Sequence, residues 1–220
     1  MDGIIRPSVR RLREMKGVLF DRKYAAKADP ELPLYYMHRA IGRRGWLRYD
    51  ITVLPPLMLG SEYNKTLGHY HSLAKRTLAY PEIYEVLSGE ATYIMQKKEK
   101  GKIADVIIVD AKAGDKILMP PNYGHVTVNR GKSTLIMSNI VCDHCMSDYS
   151  EYQKMHGAAY YIVKGKGIIP NPSFKSLPKY RHMKPGEGIL HHPLPGKLPL
   201  YSLLENNSRL LQFLEDPRLL

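Results

Sequence analysis

Residues 65–90 read KTLGHYHSLAKRTLAYPEIYEVLSGE, and the reading of this stretch decides the fold. His69 and His71 stand one residue apart, and an acidic, apolar run from Glu82 follows and closes at the Ser88-Gly89 turn. Side chains at i and i+2 share a face only where the backbone is extended. GHYH therefore reads as a short strand with two imidazoles on one side. A second stretch, residues 113–129, AGDKILMPPNYGHVTVN, ends one strand at Pro120-Pro121 and starts another near His125. Inward positions alternate along the strands of a small β-barrel, so three histidines and a carboxylate from neighbouring strands can converge. Imidazole with carboxylate suits iron, zinc, manganese, nickel or cobalt, and an octahedral ion so held keeps open positions for substrate oxygens.

The surrounding sequence supports a barrel. YDITVL (49–54), ATYIMQ (91–96), ADVIIVDA (104–111), STLIMSNIV (133–141) and AAYYIV (158–163) are short β-prone runs separated by turn residues, and KKEKGK (97–102) reads as a hairpin tip. Such spacing argues an all-β sandwich or barrel, without βαβ alternation. The strand-rich block is expected at 49–165, preceded by an arm at 1–48 that packs on the barrel. A short helix is expected near Asp21–Lys27. Residues 166–220 are basic and rich in Pro and Gly; they read as an extended tail on the barrel or on a partner subunit. In that tail Leu203, Leu204, Leu210, Leu211 and Leu214 fall at helical spacing, and Asp216-Pro217 marks a stop.

Composition narrows the class. Hydrophobic residues make up 44% and charged residues 25% of the 220, so a packed core is expected. No run approaches the about 20 apolar residues of a membrane helix, and the N-terminus lacks the apolar region of a secretory signal, so a cytoplasmic protein is expected. The net charge of +12 favours an anionic partner, a phosphorylated small molecule or a nucleic acid. The basic residues lie in short scattered clusters, which argues against a nucleic-acid track. Cys142 and Cys145, in CDHC, lack the second ligand pair that a structural zinc needs, and read as two ordinary thiols.

HxH, the glutamate seven residues before Gly89, and PPNYGHVTVN together resemble the two motifs of the cupin superfamily. The resemblance implies an all-β, cupin-type double-stranded β-helix (jelly-roll barrel), with short helices and extended segments at both termini. One departure is the gap between HxH and Glu82: the intervening SLAKRTLAYP (72–81) is longer than is common in cupins and enlarges a loop at the barrel mouth. TVLPPLMLGSEYNKTLGHYH (52–71), SVRRLREMKG (8–17) and EIYEVLSGE (82–90) narrow the resemblance to the cupin-type phosphoglucose isomerases, known mainly from archaea, over roughly residues 8–163.

That resemblance implies a metal-dependent, homodimeric enzyme interconverting glucose 6-phosphate and fructose 6-phosphate. It implies His69, His71, Glu82 and His125 as ligands of one divalent ion, Fe²⁺ first among the candidates. Thr52, Thr66 and Gly68 match phosphate-binding positions, and Tyr84 and Tyr149 match pocket tyrosines. Val141 and Ser147 stand where the family has a tyrosine and a histidine, and Tyr80 in the long loop is a candidate substitute. Isomerisation needs a base to carry a proton between C2 and C1, and Glu82 is the candidate; a hydride shift is the rival mechanism. A non-catalytic sugar-binding or regulatory cupin, or a cupin enzyme on another sugar phosphate, are the competing readings.

Overall fold

The computed structural model describes residues 6–220. Its core is a pair of facing sheets built from nine main strands: β1 (Ser8–Arg11), β2 (Pro33–Arg44), β3 (Leu47–Leu54), β4 (Glu82–Ser88), β5 (Glu90–Glu99), β6 (Lys102–Lys112), β7 (Lys116–Met119), β8 (Tyr123–Val128) and β9 (Leu135–Cys142). One sheet runs β1-β2-β3-β9-β4-β7, antiparallel throughout. The other runs β8-β5-β6 and ends in Arg181–His182, which lies parallel to β6. This is the cupin-type double-stranded β-helix.

Local sequence explains the turns. β5 and β6 are joined by Lys100-Gly101, both at positive φ (48° and 79°), the requirement of a two-residue type I′ hairpin. At Gly89 (φ 82°) the chain crosses from one sheet to the other. A Cβ there would meet the Thr134 carbonyl oxygen at 2.9 Å, so only glycine fits. The helix Arg22–Lys27 begins where Asp21 Oδ1 accepts a hydrogen bond from the Tyr24 N–H at 2.9 Å.

The alternation of side chains produces three apolar layers. Tyr84 and Val86 of β4, Tyr93 and Met95 of β5, Ile107 and Val109 of β6, and Met137 of β9 fill the space between the sheets. The opposite face of the six-stranded sheet offers Leu47, Tyr49, Ile83, Leu118 and Ile140 to the chain's C-terminal part. The opposite face of the other sheet packs Ile94, Val106 and Val126 against Tyr152, Ala158, Ala159, Tyr160 and Ile162.

Strand structure extends further toward the N-terminus than the sequence pattern indicates. The sheet begins at Ser8, and the twelve-residue strand β2 is integral to it. Its pattern was obscured because polar and basic residues of β2 line a cavity or reach solvent, and because a bulge lies between His38 and Gly42, with Ala40 at φ 55°.

The C-terminal leucines dock on the six-stranded sheet. An α-helix, Leu200–Asn206, and a 3₁₀ stretch, Ser208–Leu214, bury Leu200, Leu203, Leu204, Leu211, Phe213 and Leu214. Leu210 stays partly exposed. Asp216 does not end the chain's helical structure: its side chain accepts from Arg218 N and caps a last 3₁₀ turn, Pro217–Leu219. Polar groups anchor the tail as well. The buried pair Glu85–Lys116 (3.6 Å) gives its remaining hydrogen-bonding capacity to the tail backbone: Leu200 N–H donates to Glu85 Oε2 at 2.7 Å, and Lys116 Nζ donates to the Gly196 carbonyl at 2.9 Å.

Leu203 is fully buried in this layer, so Leu203→Ala is expected to lower stability by about 2–5 kcal/mol. Denaturant unfolding followed by circular dichroism measures it; a change within experimental scatter would mean that the tail is not held by this layer.

Candidate metal and substrate site

The site lies inside one end of the barrel, in a cavity lined by residues of β2, β3, β4, β8 and β9 and by the GHYH stretch. GHYH is placed there by pairing on both sides. His69 exchanges backbone hydrogen bonds with His125 of β8 (3.3 and 3.0 Å), and Tyr70-His71 pairs with Ser147-Asp148. This extended pairing sends His69 and His71 inward and Tyr70 outward, where its hydroxyl accepts from Gln96 Nε2 at 3.1 Å. Gly68 (φ 84°) is a close approach: a Cβ would stand 2.4 Å from Val126 and 2.5 Å from Tyr152.

His69, His71, Glu82 and His125 converge, with one potential ligand atom from each lying within 4.8 Å of the others. His71 Nε2 is 3.2 Å from His69 Nε2 and 3.3 Å from Glu82 Oε2, and His125 Nε2 is 3.4 Å from Glu82 Oε2. His71 Nδ1 meets the Tyr80 carbonyl at 2.8 Å, which places its N–H there and leaves Nε2 as the inward nitrogen. Glu82 Oε2 is buried without a hydrogen-bond partner. An acceptor so isolated, facing three imidazole nitrogens, fits a divalent cation; the donor set is three nitrogens and one oxygen.

The electrostatics agree with a site that exchanges a proton for a cation. Burial pushes His69 well below the usual imidazole range, and His125 and His71 add to the fall. Burial lowers His125 to about 4 against the pull of Glu82. His71 moves the other way: burial opposes its charge, but Cys145 and Glu82 raise it to about 10. Burial likewise opposes the Glu82 charge, yet His71 and His125 hold its carboxyl below the ordinary range. Of the three imidazoles, His71 is thus the one on which a proton is favoured, and a bound cation would displace it.

The other residues expected from sequence also line this cavity: Thr52, Thr66, Gly68, Tyr84 and Tyr149, together with Val141 and Ser147. Tyr84 lies with its hydroxyl 3.4 Å from His125 Nε2, and the Tyr149 ring centroid lies 5.4 Å from that of His69. Thr66 Oγ1 accepts from the Thr127 N–H at 3.0 Å, so its own proton is free to donate. Tyr80 contributes its carbonyl, on His71, through the extended loop.

Several cavity residues went unseen in the sequence. Tyr35 accepts from both Arg10 Nε (3.2 Å) and Leu67 N–H (3.3 Å), leaving its hydroxyl proton to donate. Asn139 donates to Glu82 Oε1 at 2.6 Å. Arg48 binds Asp50 through Nε (3.0 Å to each oxygen) and Asp143 through Nη1 (3.0 Å), while Arg39 stands at the rim 3.9 Å from Asp50. The one available signal was the alternation Arg48, Asp50, Thr52 in β3, which puts all three on the face of Thr52. The thiols of Cys142 and Cys145 are free, and Cys145 lines the cavity.

Fold and site together define a cupin with a buried three-histidine, one-glutamate centre. The family model described as glucose-6-phosphate isomerase (GPI) matches residues 9–175, and the chain belongs to that family. The chain is similar to the glucose-6-phosphate isomerase of Thermococcus litoralis, 29% identical over 186 residues, covering 81% of this chain and 92% of the relative. That of Thermococcus onnurineus is 30% identical over 174 residues, covering 76% and 87%. That of Pyrococcus furiosus is 28% identical over 183 residues, covering 79% and 92%. All four converging residues lie within the matched segment; the docked C-terminal helices lie beyond it.

Because the cation replaces the His71 proton, uptake near pH 7 is expected to release one proton. Because a proton on His71 competes with the cation, the apparent affinity should rise with pH until His71 is deprotonated. Titration calorimetry in buffers of different ionisation enthalpy measures the released proton; buffer-independent heats would contradict a protonated His71.

Proposed function

We propose that this protein is a metal-dependent aldose–ketose isomerase interconverting glucose 6-phosphate and fructose 6-phosphate. The observation that carries the reading is the placement of the His69, His71, Glu82 and His125 cluster in one cavity with Thr52, Thr66 and Gly68, in a chain of the glucose-6-phosphate isomerase family. A bound divalent ion would supply Lewis acidity to the reacting carbonyl and hydroxyl. Fe²⁺ is the proposed native ion, and zinc, manganese, nickel and cobalt suit the same donors.

The chain's own groups do the rest. Thr52 and Thr66 hydroxyls and the Gly68 N–H hold the phosphate, with the Tyr35 hydroxyl as a further donor in the same cavity. This fixes the distance from phosphate to the reacting carbons. Glu82 takes the proton from C2 and returns it to C1, while Tyr84 and Tyr149 shape the sugar pocket. The net charge of +12 steers the sugar phosphate dianion inward. The family resemblance supports a homodimer in the cytoplasm; among the described residues no helix is long and apolar enough to cross a membrane.

A coupled isomerase assay is the test. Chelator should abolish turnover of fructose 6-phosphate, and Fe²⁺ should restore it; metal-loaded protein that leaves the substrate untouched refutes the proposal. Glu82→Gln should lower kcat by about 10²–10⁴-fold. Turnover in deuterated water separates the chemistries: deuterium appearing on product carbon supports Glu82 as the proton carrier, and its complete absence supports a hydride shift.

A further inference from the structure

We infer that Asn139 is a positioning residue that restricts Glu82 to a single oxygen facing the metal-binding nitrogens. The inference deepens the metal-dependent isomerase reading and rests on it. The two oxygens of Glu82 have different surroundings. Oε2 points at His71 and His125 and has no hydrogen-bond partner, whereas Oε1 is held by Asn139 Nδ2 at 2.6 Å. An ionised carboxylate only accepts hydrogen bonds, so the Asn139 amide must present its nitrogen. At this distance the bond is short and charge-assisted.

Asn139 is well placed to impose this asymmetry. It is buried on β9, the strand between β3 and β4, with its backbone opposite Asp50 on one side and Tyr84 on the other. Its Cα is fixed by two ladders, and Glu82 opens the neighbouring strand β4. The amide therefore reaches Oε1 from rigid backbone rather than from a loop.

A carboxylate can bind a cation through one oxygen or through both. With Oε1 tethered, Glu82 offers Oε2 alone, and the carboxylate is not pulled flat against the ion. A carboxylate engaged through both oxygens would give a lone pair of each to the cation and keep only its less basic anti lone pairs to accept a proton from carbon. Asn139 thus separates two demands on one side chain: holding a cation and moving a proton. Without its amide, Glu82 is free to rotate and chelate, which favours the first role at the expense of the second.

The test uses the full-length protein loaded with Co²⁺, whose visible absorption reports its ligand geometry. Asn139→Ala and Asn139→Leu remove the donor, one leaving space and the other filling it, and near-ultraviolet circular dichroism identifies which of them folds. In a folded variant the Co²⁺ spectrum should change and Co²⁺ should bind as tightly as to wild type or more tightly. The value of kcat should fall about 10–100-fold, with KM changed by less than about twofold. A Co²⁺ spectrum identical to that of wild type overturns the inference, whatever happens to turnover. A Co²⁺ affinity weakened more than about tenfold also overturns it, because the amide would then support binding itself. An inert wild-type protein whose Asn139 variants still alter the spectrum would sink the isomerase reading and leave this one standing.

Discussion

The Glu82 carboxylate, buried among His69, His71 and His125, is the constraint on which the rest of the structure depends. An anion removed from water at this depth is costly unless its charge and lone pairs are met. The Asn139 amide occupies one oxygen, and the neighbouring imidazoles of His71 and His125 favour the charged carboxylate. The remaining oxygen is unpartnered, and it faces the imidazoles rather than the apolar core. Below the site, Tyr93, Met95, Ile107 and Val109 fill the barrel and hold the strands that carry the ligands. The same inward alternation that buries those side chains delivers Glu82, Tyr84 and His125 to the cavity, so packing and chemistry share one periodicity.

Around this centre two segments outside the main strands meet the barrel at defined contacts. The extended loop 72–81 supplies the Tyr80 carbonyl that orients His71. The C-terminal segment covers the outer face of the six-stranded sheet, and its backbone hydrogen-bonds both members of the Glu85–Lys116 pair. Ile83 and Glu85, which face that tail, alternate along β4 with Glu82 and Tyr84, which face the cavity. One strand thus supports the tail with one face and the site with the other.

Much of the fold was legible because its signals are local. The Lys100-Gly101 hairpin, the break at Gly89 and the short β-prone runs depend on residues adjacent in sequence. A short helix near Asp21–Lys27 was legible in the same way; the Asp21 cap that starts it at Arg22 is a finding of the structure. Strand β2 was not, because a strand that turns Tyr35, Met37 and Arg39 to a polar cavity and Arg43 and Arg44 to solvent loses the apolar alternation by which strands are recognised. Asp216-Pro217 was read as a stop, and became a cap, because the chain beyond it has room for one more turn.

What the sequence by itself determined is the donor chemistry: two imidazoles at i and i+2, a carboxylate opening the next strand, and a third imidazole after a proline break. Each depends on residue type and short spacing, which the backbone converts directly into direction. What only the tertiary structure decided is which groups attend those donors. The Asn139 amide, the Tyr35 hydroxyl with its two donors, and the docking of the C-terminal leucines all join residues far apart in the chain. Their meeting follows from strand order and register, and a one-residue slip of β9 or β2 would turn Asn139 or Tyr35 to the opposite face.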